Sequence, residues 1–273
     1  MKKVVLITGG SSGIGKSIGV FLHQKGFIVY GTSRNPKKIT DSVFPLLSLD
    51  VRNSASIQNA VSEVILLAGR IDVVINNAGV GITGPLEEIP TQEIKNNFET
   101  NFFGPIEVMK AVLPQMRQQH SGLIINITSI AGYMGLPYRS VYSASKGALE
   151  LITEALRMEV HSFGIQITNV APGDFATNIA AGRFHAPLIK GSAYETPYGN
   201  TLKMMDEHVH SGHNPNEMAE AIYQIIQNPN PKIHYKVGAF LQKFSIVLKR
   251  ILPDKVYEKM LMNHYQLLKE RIE

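Results

Sequence analysis

Short apolar runs alternate with longer segments of helical periodicity along the first 235 residues. The runs are rich in β-branched residues and show no polar alternation, which is typical of strands that are buried on both faces. Repeated strand–helix–strand units with short connections predict one parallel sheet with right-handed crossovers and helices on both faces, a doubly wound α/β fold. The predicted strands are Lys3–Thr8, Phe27–Thr32, Leu46–Leu49, Asp72–Asn76, Gly122–Thr128 and Ile165–Val170, and the predicted helices are Gly13–Lys25, Ser54–Ala68, most of Thr91–Met116, and Val141–Phe163.

No linker interrupts this pattern before residue 235. The sequence therefore predicts a single domain over residues 1–235, with a helical C-terminal extension of the same domain over residues 236–273. Residues 174–213 break the rhythm, because glycine, proline and aromatic residues are interleaved there without a regular period. Long irregular insertions in compact domains are usually functional, so we expect this segment to form a substrate lid. The next helix is expected to begin at Asn214, an N-cap residue that is followed by Pro215.

The chain contains no cysteine, which excludes disulfides, thiolate metal sites and a cysteine nucleophile. This composition fits a reducing compartment, and we expect a cytoplasmic protein. The apolar run Val4–Ile7 is interrupted at once by Thr8-Gly9-Gly10, unlike the apolar region of a signal peptide. No apolar run approaches the ~20 residues that a membrane-spanning helix needs.

The net charge of +5 is concentrated near the C-terminus. Residues 232–273 hold nine of the 27 Lys and Arg but four of the 22 Asp and Glu, whereas the rest of the chain is balanced. A nucleic-acid-binding protein is expected to carry its basic stripe on the folded body, so we predict no nucleic-acid partner. Apolar residues recur among these basic ones from Phe240 to Leu268. The pattern favours helices packed over the substrate pocket or against a second subunit, and it leaves open peripheral contact with an anionic membrane.

A glycine-rich turn lies between the first predicted strand and the first predicted helix. Its glycines are spaced Gly-x-x-x-Gly-x-Gly from Gly9 to Gly15. Glycines let the backbone approach a pyrophosphate, and the helix N-terminus offers free N–H groups and a favourable dipole. A tight turn without a ligand is the alternative, but the flanking strand and helix favour a Rossmann-type dinucleotide site. The predicted phosphate-binding residues are Gly9, Ser11, Ser12, Gly13, Ile14 and Gly15.

The end of the second strand predicts which dinucleotide binds. In dinucleotide folds an acidic residue there binds the ribose 2′-hydroxyl, whereas an arginine accommodates a 2′-phosphate. This sequence has Ser33 and Arg34 at that place and no acid. A guanidinium can hold a phosphate through two hydrogen bonds, so Arg34, with Ser12 or Ser33 nearby, favours NADP(H). The alternative is a solvated surface arginine.

Tyr142 and Lys146 are four residues apart on the long predicted helix Val141–Phe163 and therefore share a face. A free tyrosine has a pKa near ~10 and is a poor base at neutral pH. A nearby ammonium stabilises the phenolate, which lets the tyrosine exchange a proton with an alcohol or carbonyl oxygen. Ser129 follows an apolar strand and can bond the same oxygen. Ligands of open parallel sheets bind at the carboxyl ends of strands, where these residues are expected to meet.

Together these motifs resemble the short-chain dehydrogenase/reductase family over about residues 3–235. The family's pattern is matched by Thr8-Gly-x-x-x-Gly-x-Gly, Asp50, Asn76-Asn77-Ala78-Gly79, Asn101, Ser129, Tyr142-x-x-x-Lys146 and Pro172-Gly173. The resemblance implies that Tyr142 is the general acid/base and that Ser129 orients the substrate. It also implies that Lys146 binds the nicotinamide ribose and lowers the pKa of the tyrosine. Further roles implied by the resemblance are a relay water held by Asn101, adenine contact by Asp50, the carboxamide held by Thr177, and cofactor contacts from Val51, Asn77, Ala78, Gly79, Pro172 and Gly173.

The predicted activity is an NADP(H)-dependent interconversion of a carbonyl and an alcohol on a fairly large apolar substrate. The aromatic residues of the expected lid motivate this substrate class. Ser33-Arg34, the lid and the C-terminal extension resemble the subgroup of 17β-hydroxysteroid and retinol dehydrogenases, so steroid-, retinoid- and lipid-like substrates are expected. A 3-oxoacyl thioester reductase, a non-catalytic dinucleotide sensor and a membrane-surface scaffold remain as alternatives.

Two further expectations concern metals and assembly. The segment from His208 to His213 contains three histidines, but no nearby carboxylate triad or cysteine completes a zinc site. A solvated loop is the favoured interpretation, and the family that the chain resembles needs no metal. The resemblance also implies a homo-oligomer.

Overall fold

A computed structural model describes residues 1–175, 182–210 and 213–269, without the side chains of residues 206–210 and 269. The strands are β1 Val4–Ile7, β2 Ile28–Ser33, β3 Leu46–Ser48, β4 Val73–Asn76, β5 Ile82–Thr83, β6 Gly122–Ile127, β7 Ile165–Pro172, β8 Phe184–His185 and β9 His234–Val237. The α-helices are α1 Gly13–Gln24, α2 Ser54–Ala68, α3 Thr91–Phe98, α4 Gly104–Gln119, α5 Ser140–Glu159, α6 Glu195–His210, α7 Pro215–Gln227, α8 Phe240–Ile251 and α9 Asp254–His264.

Seven of these strands form one parallel sheet in the order β3-β2-β1-β4-β6-β7-β9. The strand order reverses between β1 and β4, and such a switch point is where open α/β sheets bind ligands. The predicted doubly wound fold is therefore confirmed, with every predicted strand and helix present within a few residues of its expected bounds. None of the helices in the described ranges is long and apolar enough to cross a bilayer.

Two apolar layers cover the sheet. Side chains alternate along each strand, so β1 sends Val4 and Leu6 to one face and Val5 and Ile7 to the other. The first face packs against α2, α4 and α5, and the second packs against α1 and α7. All four residues of β1 are almost fully buried, which explains why the strand carries no polar alternation.

The described part of residues 174–213 is more regular than the sequence predicted. It contains β8 and the helix α6, whose Tyr198 is fully buried beneath β5. The Tyr198 hydroxyl donates to the backbone oxygens of Thr83 and Ala186, each at 3.2 Å. Pro197 is the third residue of α6, where its missing N–H would have had no partner within the helix. Pro197 therefore marks the start of a helix and not the irregular structure that the sequence predicted.

The C-terminal residues fold back onto the end of the sheet. Ile246 of α8 and Tyr257 of α9 are buried against Ile130, Met134 and Ala171. Ile130 belongs to the short 3-10 turn that follows Ser129, so this packing supports the loop that carries that serine. The sequence predicted that this extension packs over the substrate pocket or against a second subunit. The structure shows it packed against the turn that follows Ser129.

Candidate active site

A cavity of about 510 Å³ opens at the carboxyl ends of the central strands. It brings together most residues that the sequence selected, although they come from segments spread over more than half of the chain. The predicted residues in its wall are Gly9, Ser11, Ser12, Gly13, Ile14, Ser33, Arg34, Asp50, Val51, Asn77, Ala78, Gly79, Tyr142, Lys146 and Pro172.

The turn between β1 and α1 is shaped by its glycines. Gly9 has φ 64°, a conformation that residues with a side chain rarely adopt. Gly15 has a different role, because a Cβ added there would lie 2.4 Å from the backbone oxygen of Gly9. Gly15 therefore lets α1 pack closely against the turn, and it is absent from the cavity wall although the sequence placed it among the cofactor contacts.

The N-terminus of α1 faces the cavity and is not capped by the side chain of its N-cap residue. Ser12 occupies the N-cap position, but its side chain accepts no hydrogen bond from the first turn of the helix. Ser12, Gly13 and Ile14 all line the cavity. Free N–H groups and the positive end of the helix dipole suit a phosphate, so these residues fit the pyrophosphate of a dinucleotide.

A hydrogen-bond network ties the glycine turn to the end of β4. The buried Thr8 hydroxyl accepts from the backbone N–H groups of Asn77 and Ala78, each at 3.0 Å. The Asn77 amide donates back to the backbone oxygens of Thr8 and Gly9 at 3.0 and 3.1 Å. Asn77 thus shapes the cavity wall and also lines it. Thr8 belongs to the motif, but nothing local in the sequence indicated this linking role.

Two guanidinium groups stand in the part of the wall formed by the ends of β2 and β3. Arg34 follows β2 directly, and Arg52 lies just beyond β3. The backbone N–H of Arg52 donates to Asp50 Oδ1 at 3.0 Å, and its Nε lies 3.6 Å from the same atom. Sequence analysis missed Arg52. Its position a few residues after β3, the strand that pairs with β2, is the signal that could have identified it.

Tyr142 and Lys146 lie one turn apart on α5 and both reach the cavity. Both side chains are buried, and Lys146 Nζ donates to the backbone oxygen of Ile127 at 2.9 Å. Burial lowers the pKa of Lys146, while the charges of Tyr142 and Glu150 raise it. Arg139 places its Cζ 5.4 Å from the centre of the Tyr142 ring, a second cation that sequence analysis did not select.

Asn101 lies in a π-helical turn, Glu99–Phe103, between α3 and α4. Such turns often occur at functional sites. Its Oδ1 accepts from the Val80 N–H at 2.8 Å, and its Nδ2 donates to the Val80 oxygen at 2.8 Å. A Cβ added to Gly79 would lie 3.2 Å from Asn101 Oδ1 and 3.4 Å from Lys146 Nζ. Asn101 is outside the wall itself, and it holds the segment after β4 beside Lys146.

The remaining predicted residues lie at the edge of the site or outside the described chain. Ser129 is buried at the end of β6, where its Oγ accepts from the Ala131 N–H at 3.1 Å. Gly173 is packed against Gln242 of α8 and leaves no room for a side chain. Ser129 and Gly173 are not in the cavity wall. Thr177 lies outside the described residues.

The histidine-rich segment is only partly described, since the side chains of residues 208–212 are not. His213 pairs with Glu217, with 3.0 Å between Nδ1 and Oε2. Within the described ranges no three His, Asp or Glu side chains are grouped in a way that could hold a metal ion.

Several wall residues were not selected from the sequence. Nine of the fourteen extend the cavity away from the glycine turn, towards β5, β8 and α3, and the other five lie at the ends of β2, β3 and β6. The additional wall residues are Thr32, Leu49, Arg52, Val80, Gly81, Ile82, Glu93, Asn96, Asn97, Thr100, Ile127, Thr128, Gly182 and Phe184.

Comparison with known proteins gives matches in both sequence and structure. The sequence profile described as short chain dehydrogenase matches residues 3–187. The chain is 42% identical over 266 residues to the 3-ketodihydrosphingosine reductase of Bacteroides thetaiotaomicron, covering 97% of this chain and 98% of that protein. A crystal structure of a short-chain dehydrogenase from Streptomyces avermitilis is similar at a TM-score of 0.83 and 30% identity, covering 98% and 97% of the two chains. ElxO with NADP bound is similar at a TM-score of 0.71 and 27% identity, covering 87% and 97%.

Proposed function

Because this chain belongs to the short chain dehydrogenase family of oxidoreductases, we propose that it uses NADPH to reduce the ketone of a long-chain amino lipid. The observation that carries this proposal is the burial of Tyr142 and Lys146 together in one cavity with the uncapped end of α1. The substrate class is supported by the relative named 3-ketodihydrosphingosine reductase, which is similar along almost the whole chain. Of the steroid-, retinoid- and lipid-like substrates expected from the sequence, we therefore select the lipid.

The chain's own residues supply the proton and hold the reacting atoms. A dinucleotide held by the glycine turn and Arg34 would supply the hydride that reduces the carbonyl carbon, and the carbonyl oxygen would then need a proton. Tyr142 donates that proton to the oxygen and becomes a phenolate. The Lys146 ammonium, held in place by the Ile127 oxygen, stabilises the phenolate in a buried setting where the attraction between opposite charges is strong. Ser129 is outside the wall but directly follows Thr128, which lines it, and we assign to its hydroxyl the orientation of the carbonyl oxygen.

The preference for NADPH rests on the charges at the ends of β2 and β3. Arg34 and Arg52 both stand in that part of the wall, and no acidic residue follows β2. A carboxylate there would repel a 2′-phosphate, whereas guanidinium groups bind one through charge-assisted hydrogen bonds. Asp50 is already engaged by Arg52, so its charge is partly neutralised.

The far wall of the cavity fits an amino ketone. Ile82 and Phe184 supply apolar surface, and Glu93 is the carboxylate in this part of the wall. Glu93 Oε1 accepts a hydrogen bond from Asn96 Nδ2 at 3.4 Å. A carboxylate complements an ammonium group, so Glu93 would favour a ketone with a neighbouring free amine over its N-acetylated form.

The test is turnover measured by the absorbance of the nicotinamide. We expect 3-ketodihydrosphingosine to be reduced with NADPH, and Tyr142→Phe to lower kcat by a factor of ~10²–10⁴, the usual contribution of general acid catalysis. Tyr223→Phe is the control, since Tyr223 packs on Phe21 at the opposite face of the sheet. Unchanged turnover in Tyr142→Phe would refute the mechanism.

Two other outcomes select the alternatives. A 3-oxoacyl thioester reduced faster than the amino ketone would assign the protein to thioester reduction. Binding of NADPH without turnover of any ketone would instead assign it to dinucleotide sensing.

A further inference from the structure

The helix α8 carries a row of apolar side chains on its outward face. Ile246, on the opposite side, is 1% exposed and packs near Met134 and Tyr257, so the helix already buries one apolar face. The outward residues follow helical spacing and are largely exposed, with Phe240 at 73% and Leu241 at 76%. We call this row the α8 face; it consists of Phe240, Leu241, Phe244, Val247 and Ile251.

The α8 face is ordered and aromatic at its N-terminal end. The rings of Phe240 and Phe244 are stacked, with their centroids 5.8 Å apart and an interplanar angle of 10°. Exposed apolar residues scattered singly are normal on protein surfaces, but a contiguous patch marks an interaction site. Val256, the third residue of α9, is also exposed.

Positive charge lies next to the α8 face. Lys243 and Arg250 are on the same helix, and α9 carries the exposed Lys255 and Lys259. Lys249 is engaged by Asp254, with 2.8 Å between Nζ and Oδ1. Residues 232–273 hold nine Lys and Arg against four Asp and Glu, whereas the rest of the chain is balanced. Apolar side chains flanked by cations on one amphipathic helix complement a surface that is both apolar and negatively charged.

We propose that the α8 face docks on the surface of a membrane that contains anionic phospholipids. Phe240, Leu241 and Phe244 enter the boundary between headgroups and acyl chains, while the surrounding lysine and arginine side chains contact lipid phosphates. The protein lies on the membrane and does not span it.

The helix α8 is also tied to the segment that follows the cavity wall. Gln242 of α8 accepts from the Asp174 N–H at 3.1 Å and donates to Asp174 Oδ2 at 2.6 Å. Asp174 is two residues beyond Pro172, which lines the cavity. A long-chain substrate could thus reach the site from the bilayer. Only this last step rests on the proposed function, because the docking itself requires no particular substrate.

The experiment is co-sedimentation of the full chain with lipid vesicles. The vesicles are made of phosphatidylcholine alone or of phosphatidylcholine with phosphatidylglycerol. We expect at least ~10-fold stronger partitioning onto the anionic vesicles, and weaker partitioning as salt is added, since screening shortens the range of charge attraction.

Two variants separate the apolar and electrostatic contributions. Removing both rings in Phe240→Ser/Phe244→Ser should weaken partitioning by ~10-fold or more, because burial of apolar area supplies much of the affinity of interfacial helices. Lys243→Glu/Arg250→Glu should abolish the preference for anionic vesicles. The matched control is Leu66→Ser/Leu67→Ser, which removes two exposed leucines, at 85% and 60%, from α2. It should bind vesicles like the parent.

Three results would overturn the proposal. The parent chain does not bind vesicles, or Phe240→Ser/Phe244→Ser binds them as strongly as the parent, or the parent binds both kinds of vesicle equally. A fourth result would also overturn it: a dimer of the parent chain, detected without lipid by analytical ultracentrifugation and dissociated by Phe240→Ser/Phe244→Ser, would make the α8 face a subunit interface. Unchanged thermal unfolding of the variants checks that each is folded. Turnover of the amino ketone is measured separately without lipid, so failure of the proposed function is distinguished from failure of docking.

Discussion

Replacing His234 with glutamine tests whether a charged imidazole holds the last strand of the sheet against α5. His234 begins β9, and its Nδ1 lies 2.8 Å from Glu150 Oε2, while its Nε2 lies 2.9 Å from Glu154 Oε1. The Tyr133 hydroxyl lies 3.2 Å from the same Nδ1. Glu150 is buried, with 7% of its side chain exposed, so it depends on His234 for a charged partner.

The expected cost follows from these contacts. A hydrogen bond between charged groups contributes about 1.5–3 kcal/mol, and the contact with the half-exposed Glu154 contributes about 1 kcal/mol or less. The variant leaves Glu150 with Asn169 Nδ2 at 3.3 Å, and Glu150 Oε1 has no hydrogen-bond partner within the described ranges. We therefore expect His234→Gln to lower the free energy of unfolding by about 2–4 kcal/mol.

The cost should depend on pH. The hydrogen bond to Glu150 raises the pKa of His234 above its ordinary value, against burial, which lowers it. Because the folded-state pKa is the higher one, the stabilisation is fully present below the unfolded pKa of about 6.5 and is lost as the pH rises through the folded value. The difference between the parent and His234→Gln should be largest near pH ~5.5, where glutamate is still ionised, and smaller near pH ~8.5.

Urea unfolding at these two pH values measures the difference. Glu150→Gln and the double variant Glu150→Gln/His234→Gln complete a cycle, and the double variant should cost less than the sum of the two single variants, because no buried charge is then left unpaired. His23→Gln, an exposed histidine in the last turn of α1, is the matched control. A cost for His234→Gln that is the same at both pH values would refute the charged bridge.

Three further changes test the site and its support. Gly15→Ala should destabilise the fold by about 1–3 kcal/mol and weaken dinucleotide binding, because its Cβ would lie 2.4 Å from the Gly9 oxygen; Gly135→Ala, with open space around it, is the control in a thermal shift assay. Arg34→Ala should weaken NADPH binding by ~10–100-fold and leave NADH binding unchanged in a fluorescence titration, and equal losses would contradict the assignment. Tyr198→Phe should lower the free energy of unfolding by about 1–2 kcal/mol in thermal denaturation, because its buried hydroxyl bonds two backbone oxygens.

The central sheet could be predicted because its strands are buried on both faces. β1, β4 and β6 are short runs of mostly apolar residues, and segments with helical periodicity lie between them. β9 shows the limit of this reasoning. Its four residues, His234–Val237, are all half-buried at the edge of the sheet, so the strand has neither an apolar run nor a clear alternation. Its place next to β7 depends on tertiary contacts such as the His234 bridge.

The dinucleotide half of the site could be predicted because its residues are close together in sequence. Gly9 to Gly15 form one turn, and Tyr142 and Lys146 are one helical turn apart, so spacing alone places them. Arg52 could not be found in this way. It shares the cavity wall with Arg34 only because β3 pairs with β2, with Ser33 opposite Ser48, and that register is a property of the folded sheet.

The substrate half of the cavity is assembled differently. Ile82 and Phe184 come from β5 and β8, strands of two residues each that pair although about a hundred residues separate them. A two-residue strand has no detectable period, and this pairing is fixed by the burial of Tyr198 beneath it. The residues to which we assign the reaction are thus encoded locally, whereas the wall to which we assign substrate selection is formed by long-range packing. Substitutions in α6 that loosen Tyr198 should therefore change which ketones are reduced before they change the reaction itself.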